Sequence, residues 1–115
     1  MTLGELERQV MDIIWSSDGS PLSVRDMADQ FPDHAYTTIM TVLGRLAKKG
    51  FLTETKVGRA NMFSATSSRE EYIASVLLRA LDTTEDRQAV LVAFAGAMDA
   101  SDRRVLRNLF ARKDK

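Results

Sequence analysis

Apolar residues recur every three or four positions through most of the chain, which is the spacing of helices that bury one face. In the first segment this spacing predicts a helix from about Leu3 to Ser16. The following residues, Ser17–Pro21, have strong turn chemistry. Ser23 is then placed to cap a short second helix, with Asp26 three residues further on. The chain therefore begins with two helices joined by a turn.

The stretch from Ala35 to Gly50 predicts a third helix with two contrasting faces. Its inward face carries an apolar stripe at helical spacing, formed by Ile39, Val42, Leu43 and Leu46. Its outer face has small hydroxyls first, cations later and no carboxylate, and comprises Thr37, Thr41, Gly44, Arg45 and Lys48. Such a face suits the major groove of DNA, where side chains near the helix start reach base edges and cations meet phosphates. The alternative is an amphipathic helix whose polar face is only solvated.

Beyond the third helix the period changes. Phe51–Val57 is rich in β-branched and aromatic residues and alternates roughly by two, which predicts a strand, and Met62–Thr66 can return as a second strand. Residues 57–61 between them form a turn, so the two strands make a hairpin. A hairpin directly after a helix-turn-helix pair is a wing. Its tip would carry Lys56 and Arg59 along a phosphate backbone or into a minor groove, unless it is a solvated tip with incidental charge.

From Ser67 the helical spacing returns and predicts three more helices, the middle one from about Glu85 to Met98. That helix carries no charge over Ala89–Met98 and is apolar on every side, so it should be buried. A tail of about fifty residues is at the marginal end of domain size. We therefore expect a symmetric homodimer through the tails rather than a monomer whose tail folds back on its own winged domain. The residues expected at the dimer interface are Ile73, Leu77, Val90, Leu91, Phe94, Met98, Leu106, Leu109 and Phe110.

Together these elements predict a mainly α protein with a small β-hairpin. Residues 1–66 would form a winged helix-turn-helix domain, and residues 67–115 a C-terminal helical dimerisation region. The formal net charge is zero, from 16 Lys and Arg against 16 Asp and Glu. Positive charge is nevertheless concentrated in residues 36–66, where five Lys and Arg face Glu54 alone. This distribution favours a nucleic-acid partner, which the neutral total does not exclude.

The residue types present argue against metal chemistry and catalysis. The sequence has no cysteine and a single histidine, His34, so we expect no disulfide, no metal site and no cofactor. It contains no nucleophile elbow, phosphate loop or metal-ligand spacing, so we assign no catalytic residues and expect no enzyme. No signal peptide is visible, and no apolar run approaches the ~18 residues of a membrane span, which predicts a cytoplasmic protein without a membrane partner.

Two segments carry a specific family pattern. Residues 6–15 read Leu-Glu-Arg-Gln-Val-Met-Asp-Ile-Ile-Trp, and residues 36–50 contain Tyr-Thr-Thr-Ile, then Leu-Gly-Arg-Leu and a closing Lys-Gly. Both resemble the penicillinase-repressor family of bacterial transcription regulators, the BlaI/MecI/CopY type, and the Gly58–Arg59 wing tip is also similar. The resemblance implies a dimeric repressor that binds a palindromic operator through a recognition helix at about 36–49 and a wing at about 56–61. The DNA-binding residues that it implies are Tyr36, Thr37, Thr38, Thr41, Arg45, Lys48 and Arg59.

The resemblance leaves the inducing signal open. One branch of the family is inactivated by proteolysis in the C-terminal part, commonly at an Asn-Phe bond, and the copper branch carries a cysteine cluster. This sequence has no cysteine and no Asn-Phe dipeptide, so copper sensing does not carry over. A regulatory protease stays a candidate partner, with Leu91–Ala95 as the segment that it would cut.

A second function class fits the same elements. Winged-helix domains also serve as scaffolds, since fold alone does not determine function. In this alternative the chain is a protein-interaction module without sequence-specific DNA binding. Its basic face would be solvated, and its apolar tail would bind another protein. A monomer that binds no DNA but retains a heterologous partner would favour this alternative.

Overall fold

The computed structural model describes residues 3–113, which form six helices and three short strands. In chain order they are α1 (Glu5–Trp15), β1 (Leu22–Ser23), α2 (Val24–Ala28), α3 (Tyr36–Lys48), β2 (Leu52–Val57), β3 (Ala60–Ala65), α4 (Arg69–Leu81), α5 (Arg87–Ala97) and α6 (Ala100–Lys113). The mainly α fold with a small hairpin is confirmed. The chain divides into two compact units, one ending at Val76 and the other beginning at Leu77, so that α4 contributes to both. The boundary between residues 66 and 67 stays a prediction.

The core of the first unit, which we call the winged unit, lies between α1, α2, α3 and the sheet. The predicted stripe of α3 is buried there, with Ile39 and Leu46 fully inaccessible to solvent. A fully buried side chain of this size stabilises the fold by about 1.5–3 kcal/mol. The other buried members of the core are Val10, Met11, Ile14, Val24, Met27, Val42, Leu43, Leu52 and Phe63. The buried face of α3 fixes which of its residues face solvent.

Local signals set both ends of the helix-turn-helix pair. At the start of α2 the backbone N–H of Asp26 donates to Oγ of Ser23, and the Asp26 carboxylate accepts from the Ser23 N–H, as the sequence predicts. At the end of α3 the chain turns at Gly50, whose φ of 90° is one that side chains disfavour. There the N–H of Phe51 donates to the carbonyl of Leu46 at 2.9 Å, the long bond of a Schellman cap. This cap directs the chain straight into β2.

The three strands form one antiparallel sheet in the order β1-β3-β2. β2 and β3 pair from end to end, and only Gly58 and Arg59 lie in the turn that joins them. Gly58 has a φ of 63°, while Arg59 has a negative φ, as in the type II′ turns that suit two-residue hairpins. The sequence did not predict β1, in which Leu22 pairs with Phe63, because two residues are too few to show a period.

The first turns of α4 pack on the end of α1 and the start of the hairpin segment through aromatic contacts. The indole N–H of Trp15 donates to the carbonyl of Ser67 at 2.9 Å. The Tyr72 ring is nearly buried, and its centroid lies 5.6 Å from the ring centroids of both Trp15 and Phe51. Arg69 stacks over the Trp15 ring, with its guanidinium carbon 5.6 Å from the ring centroid. These contacts explain why the first compact unit extends into α4.

The second unit exposes most of its apolar side chains. Within the described residues, neither α5 nor α6 contains a buried side chain. The apolar helix is therefore exposed in the single chain, and its expected burial at a dimer interface stays a prediction. Its start is capped as an ordinary helix, with the Ala89 N–H donating to the Asp86 carboxylate at 3.0 Å. In the part of the chain that the structure describes, no helix is long and apolar enough to cross a membrane.

Candidate nucleic-acid interface

The outer face of α3 is exposed along its whole length. All six of the α3 residues that the sequence assigns to DNA are exposed, namely Tyr36, Thr37, Thr38, Thr41, Arg45 and Lys48. They share this face because the buried stripe occupies the opposite side of the helix. Arg59 is also exposed, at the tip of the wing. The structure thus presents every residue of the predicted site to solvent.

Two grooves flank α3 and divide these residues between them. The first, the α1 groove, lies between the start of α1 and α3, and its lining includes Thr37, Thr38, Thr41 and Arg45. The second, the wing groove, lies between α2, α3 and the hairpin, and its lining includes Tyr36 and Arg59. Lys48 lines neither groove. The predicted site is therefore a ridge with a cleft on each side.

Ion pairs separate the cations of the winged unit into two groups. Three of them have carboxylate partners: Lys49 with Glu7, and both Arg8 and Arg69 with Asp12. Within the described residues the other five make no ion pair, and they are Arg25, Arg45, Lys48, Lys56 and Arg59. All five lie on α2, α3 or the hairpin. The unneutralised positive charge of this unit is thus concentrated on the elements that surround the ridge.

Lys49 ties the end of α3 to the start of α1, a role that the sequence did not reveal. Its Nζ donates to both carboxylate oxygens of Glu7, at 3.0 and 2.8 Å. The backbone N–H of Gly4 donates to the same carboxylate at 2.9 Å. The hydrogen bonds from Lys49 and Gly4 hold the pKa of the nearly buried Glu7 below its ordinary value of 4.5. Lys49 therefore serves the fold, although it lies in the basic segment of the sequence.

We expect Glu7→Gln to lower the free energy of unfolding at pH 7 by about 1–3 kcal/mol, because it removes the charge that Lys49 and Gly4 bind. The folded-state pKa of Glu7 is lowered, so its contribution is fully present above the ordinary pKa of 4.5. That contribution is lost as the pH falls below 4.5 and through the lowered pKa. Urea unfolding of wild type and variant at pH 7 and near pH 3 measures the difference.

The matched control for this prediction is Glu5→Gln, at an exposed carboxylate on the same helix. We expect it to change the free energy of unfolding by a few tenths of a kcal/mol at most. A gap between wild type and Glu7→Gln that is equally wide at both pH values would contradict the assigned role of the Glu7 charge.

The structure also adds residues that the sequence did not assign to the interface. Met40 is 48% exposed on α3 and lines the wing groove. Arg25 of α2 lines the same groove and stacks on Tyr36, with 5.2 Å between the guanidinium carbon and the ring centroid. No periodic signal links positions 25 and 36, because they lie on different helices.

Comparison with known proteins agrees with this geometry. The chain matches the family model described as penicillinase repressor over residues 3–112. It is similar to the transcriptional regulator BlaI from two strains of Mycobacterium tuberculosis, with 40% identity over 115 residues. That match covers 95% of this chain and 83% of the relative. The resemblance seen in the sequence is thereby confirmed.

Solved structures support the winged-helix fold. A probable transcriptional regulator from Pseudomonas aeruginosa matches with a TM-score of 0.51 and 20% identity, over 96% of this chain and 77% of that one. A MarR family protein from Bacillus stearothermophilus matches with a TM-score of 0.51 and 16% identity, over 100% and 78%. The family model spans nearly the whole chain, and the BlaI relatives are transcriptional regulators rather than enzymes. This chain belongs to the penicillinase repressor family of transcriptional regulators.

Proposed function

We propose that this transcriptional repressor acts as a homodimer that binds a dyad operator in double-stranded DNA, with α3 as the recognition helix and the β2–β3 hairpin as the wing. The observation that carries the proposal is the charge distribution. Every cation of the winged unit that lacks a carboxylate partner within the described residues lies on α2, α3 or the hairpin. An ordinary solvated surface gives no reason for this segregation, whereas a phosphate backbone does.

The ridge and its two grooves suggest a division of labour among the DNA contacts. The side chains of Thr37, Thr38 and Thr41 are short and lie towards the start of α3, which is the part of a recognition helix that comes close to the DNA. We therefore assign their hydroxyls to base edges and nearby phosphates. Arg45 lines the same groove one turn further on, and its planar fork matches the two acceptors of guanine. Lys48 and Arg59 would neutralise phosphates, from the last turn of α3 and from the wing tip. Tyr36 lines the wing groove at the start of α3, and DNA would enter the groove there.

The exposed apolar side chains of the second unit and of α4 support the homodimer. Seven of the nine residues expected at the interface are 38–59% exposed in the single chain: Ile73, Leu77, Val90, Leu91, Phe94, Leu109 and Phe110. The other two, Met98 and Leu106, are half-buried. Apolar exposure on this scale marks an interaction surface, and a two-fold copy is the commonest partner. A two-fold dimer would present two ridges to a palindrome.

The proposal extends to a candidate regulatory partner and to the location of the protein. We keep a regulatory protease as a candidate partner, acting on Leu91–Ala95. That segment lies within α5, so cleavage would require the helix to unwind first. An operator-binding repressor works where the chromosome is, which places it in the cytoplasm.

The proposal is tested by selection from a pool of randomised DNA duplexes, since no knowledge of the operator is then needed. We expect enriched sequences to be palindromic, with half-site centres about 10 base pairs or a multiple apart. Anisotropy titrations should then give two chains per site and an affinity at least about 10³-fold above that for a random duplex. A steep loss of affinity with rising salt should accompany both.

A selection that enriches no sequence from the pool would contradict the proposed function. If no sequence is enriched and binding is equally weak to every duplex, α3 does not read bases. A monomeric protein that behaves in this way would favour the interaction-module alternative.

A further inference from the structure

Arg25 occupies an unusual position for a residue of α2. It lines the wing groove together with residues of α3 and the hairpin, among them Arg59. Its guanidinium carbon lies 5.2 Å from the centroid of the Tyr36 ring, within the range of a cation–π contact. Both side chains are exposed, so the pair contributes little to the core.

The nitrogen donors of Arg25 are uncommitted. Among the described residues, the arginines whose side chains donate hydrogen bonds are Arg69 and Arg87. Arg25 also makes no ion pair within the part of the chain that the structure describes. Stacking on Tyr36 uses only the flat face of the guanidinium and leaves its edge donors free.

Comparison with the other stacked arginines shows that this arrangement is not general. Arg8 stacks over Tyr72 at 5.9 Å, and Arg69 stacks over Trp15 at 5.6 Å. Each of these two also meets the Asp12 carboxylate, at 3.5 and 3.7 Å. Of the three arginine–aromatic stacks in the described residues, only the one at Arg25 holds a cation in place without neutralising it.

The wing groove leaves room for a ligand beside this pair. A Cβ atom added at Gly44 would meet nothing within 4 Å, so the α3 side of the groove is open there. Glu54 is the carboxylate in the lining, and it pairs with neither Arg25 nor Arg59. In helix-turn-helix proteins the helix before the recognition helix crosses the DNA backbone. The ligand chemistry that fits two free guanidinium groups in such a place is a phosphate.

We propose that Arg25 binds a DNA phosphate in the wing groove and that Tyr36 is a positioning residue, which holds the Arg25 guanidinium by stacking rather than binding DNA independently. This inference rests on the proposed function, because it needs DNA on α3. It adds α2 to the interface and gives Tyr36 a role distinct from that of the hydroxyls beside it.

The test is an anisotropy titration of full-length dimer against the selected operator and a random duplex, over a series of salt concentrations. Each phosphate contact contributes about 0.9 to the slope of log affinity against log salt. Arg25→Ala should therefore reduce that slope by about 0.9 per chain. It should weaken operator and random duplex by the same factor, since a phosphate carries no sequence information.

Tyr36 is tested by a double-mutant cycle with Arg25. We expect Tyr36→Ala to weaken binding, Tyr36→Phe to restore most of the loss because the stacking face returns, and Arg25→Ala/Tyr36→Ala to be little weaker than Arg25→Ala alone. The matched control is Arg8→Ala, which removes a stacked arginine whose charge Asp12 already meets. Thermal unfolding midpoints should confirm that each variant folds.

The outcomes separate this inference from the proposed function. Wild type that binds neither duplex would overturn both. Wild type that binds, together with an unchanged salt slope in Arg25→Ala, would overturn the phosphate contact alone. Fully additive losses at positions 25 and 36 would overturn the positioning role of Tyr36.

Discussion

Arg45→Ala is expected to weaken operator binding by about 1–3 kcal/mol per half-site, with a much smaller effect on random DNA. Arg45 is exposed, has no ion-pair partner among the described residues, and lines the α1 groove beside Thr41. A dimer carries the change twice, so the total loss approaches about 2–6 kcal/mol if the half-sites act independently. Anisotropy titrations against the operator and a random duplex give the two losses.

Arg45→Lys distinguishes a base contact from a phosphate contact. Lysine keeps the charge but loses the planar fork that fits guanine. If Arg45 reads a base, Arg45→Lys should lose operator preference while its salt slope stays near that of wild type. Arg8→Ala serves as the control for Arg45→Ala, because it also removes one positive charge from the winged unit. An Arg45→Ala protein that binds the operator as tightly as wild type would refute the assignment.

Phe94→Asp is expected to convert the proposed dimer to a monomer. Phe94 is 49% exposed in the single chain, within a run of α5 that carries no charge. In a dimer that covers this face, the aspartate carboxylate would be desolvated without a cation beside it. Truncated aromatic anchors commonly cost 2 kcal/mol or more, and a desolvated charge adds to that, so we expect the dimer dissociation constant to rise by about 100-fold or more. Sedimentation over a range of concentrations measures it.

Val57→Asp is the matched control for this experiment. It makes the same kind of change at an apolar residue that is 62% exposed, on the wing instead of the tail. The dimer should survive Val57→Asp, and circular dichroism should show unchanged helix content in both variants. If Phe94→Asp stays dimeric while folded, the interface does not include this face of α5.

The sequence predicted the elements whose signals are local. The stripe from Ile39 to Leu46 repeats in steps of three or four positions, and the Ser23 cap and the glycine at the end of α3 depend on residues within five positions. The structure has all three features. The exposed face of α3 follows from the buried one. For the same reason the candidate site was predictable on α3 and on the turn at Arg59, where helix and hairpin patterns are strong.

Contacts between distant positions were not predictable from one sequence. Glu7 and Lys49 lie 42 residues apart, and Trp15 and Ser67 lie 52 apart, so no local period relates them. The hydrophobic pattern also predicts that an apolar surface is buried, but it does not identify the partner that buries it. The apolar run of α5 therefore predicted burial, whereas the single chain leaves it exposed.

The Glu7–Lys49 pair makes two neighbouring lysines chemically different. Lys48 is exposed, whereas the Lys49 side chain is 26% exposed and its amine is held by a carboxylate. A limiting dose of an acylating reagent should modify Lys48 well before Lys49, and peptide mapping can read the ratio of the two products. The ratio would approach one only when the end of α3 separates from α1. The chain thus carries its own reporter of whether the end of α3 is docked on α1.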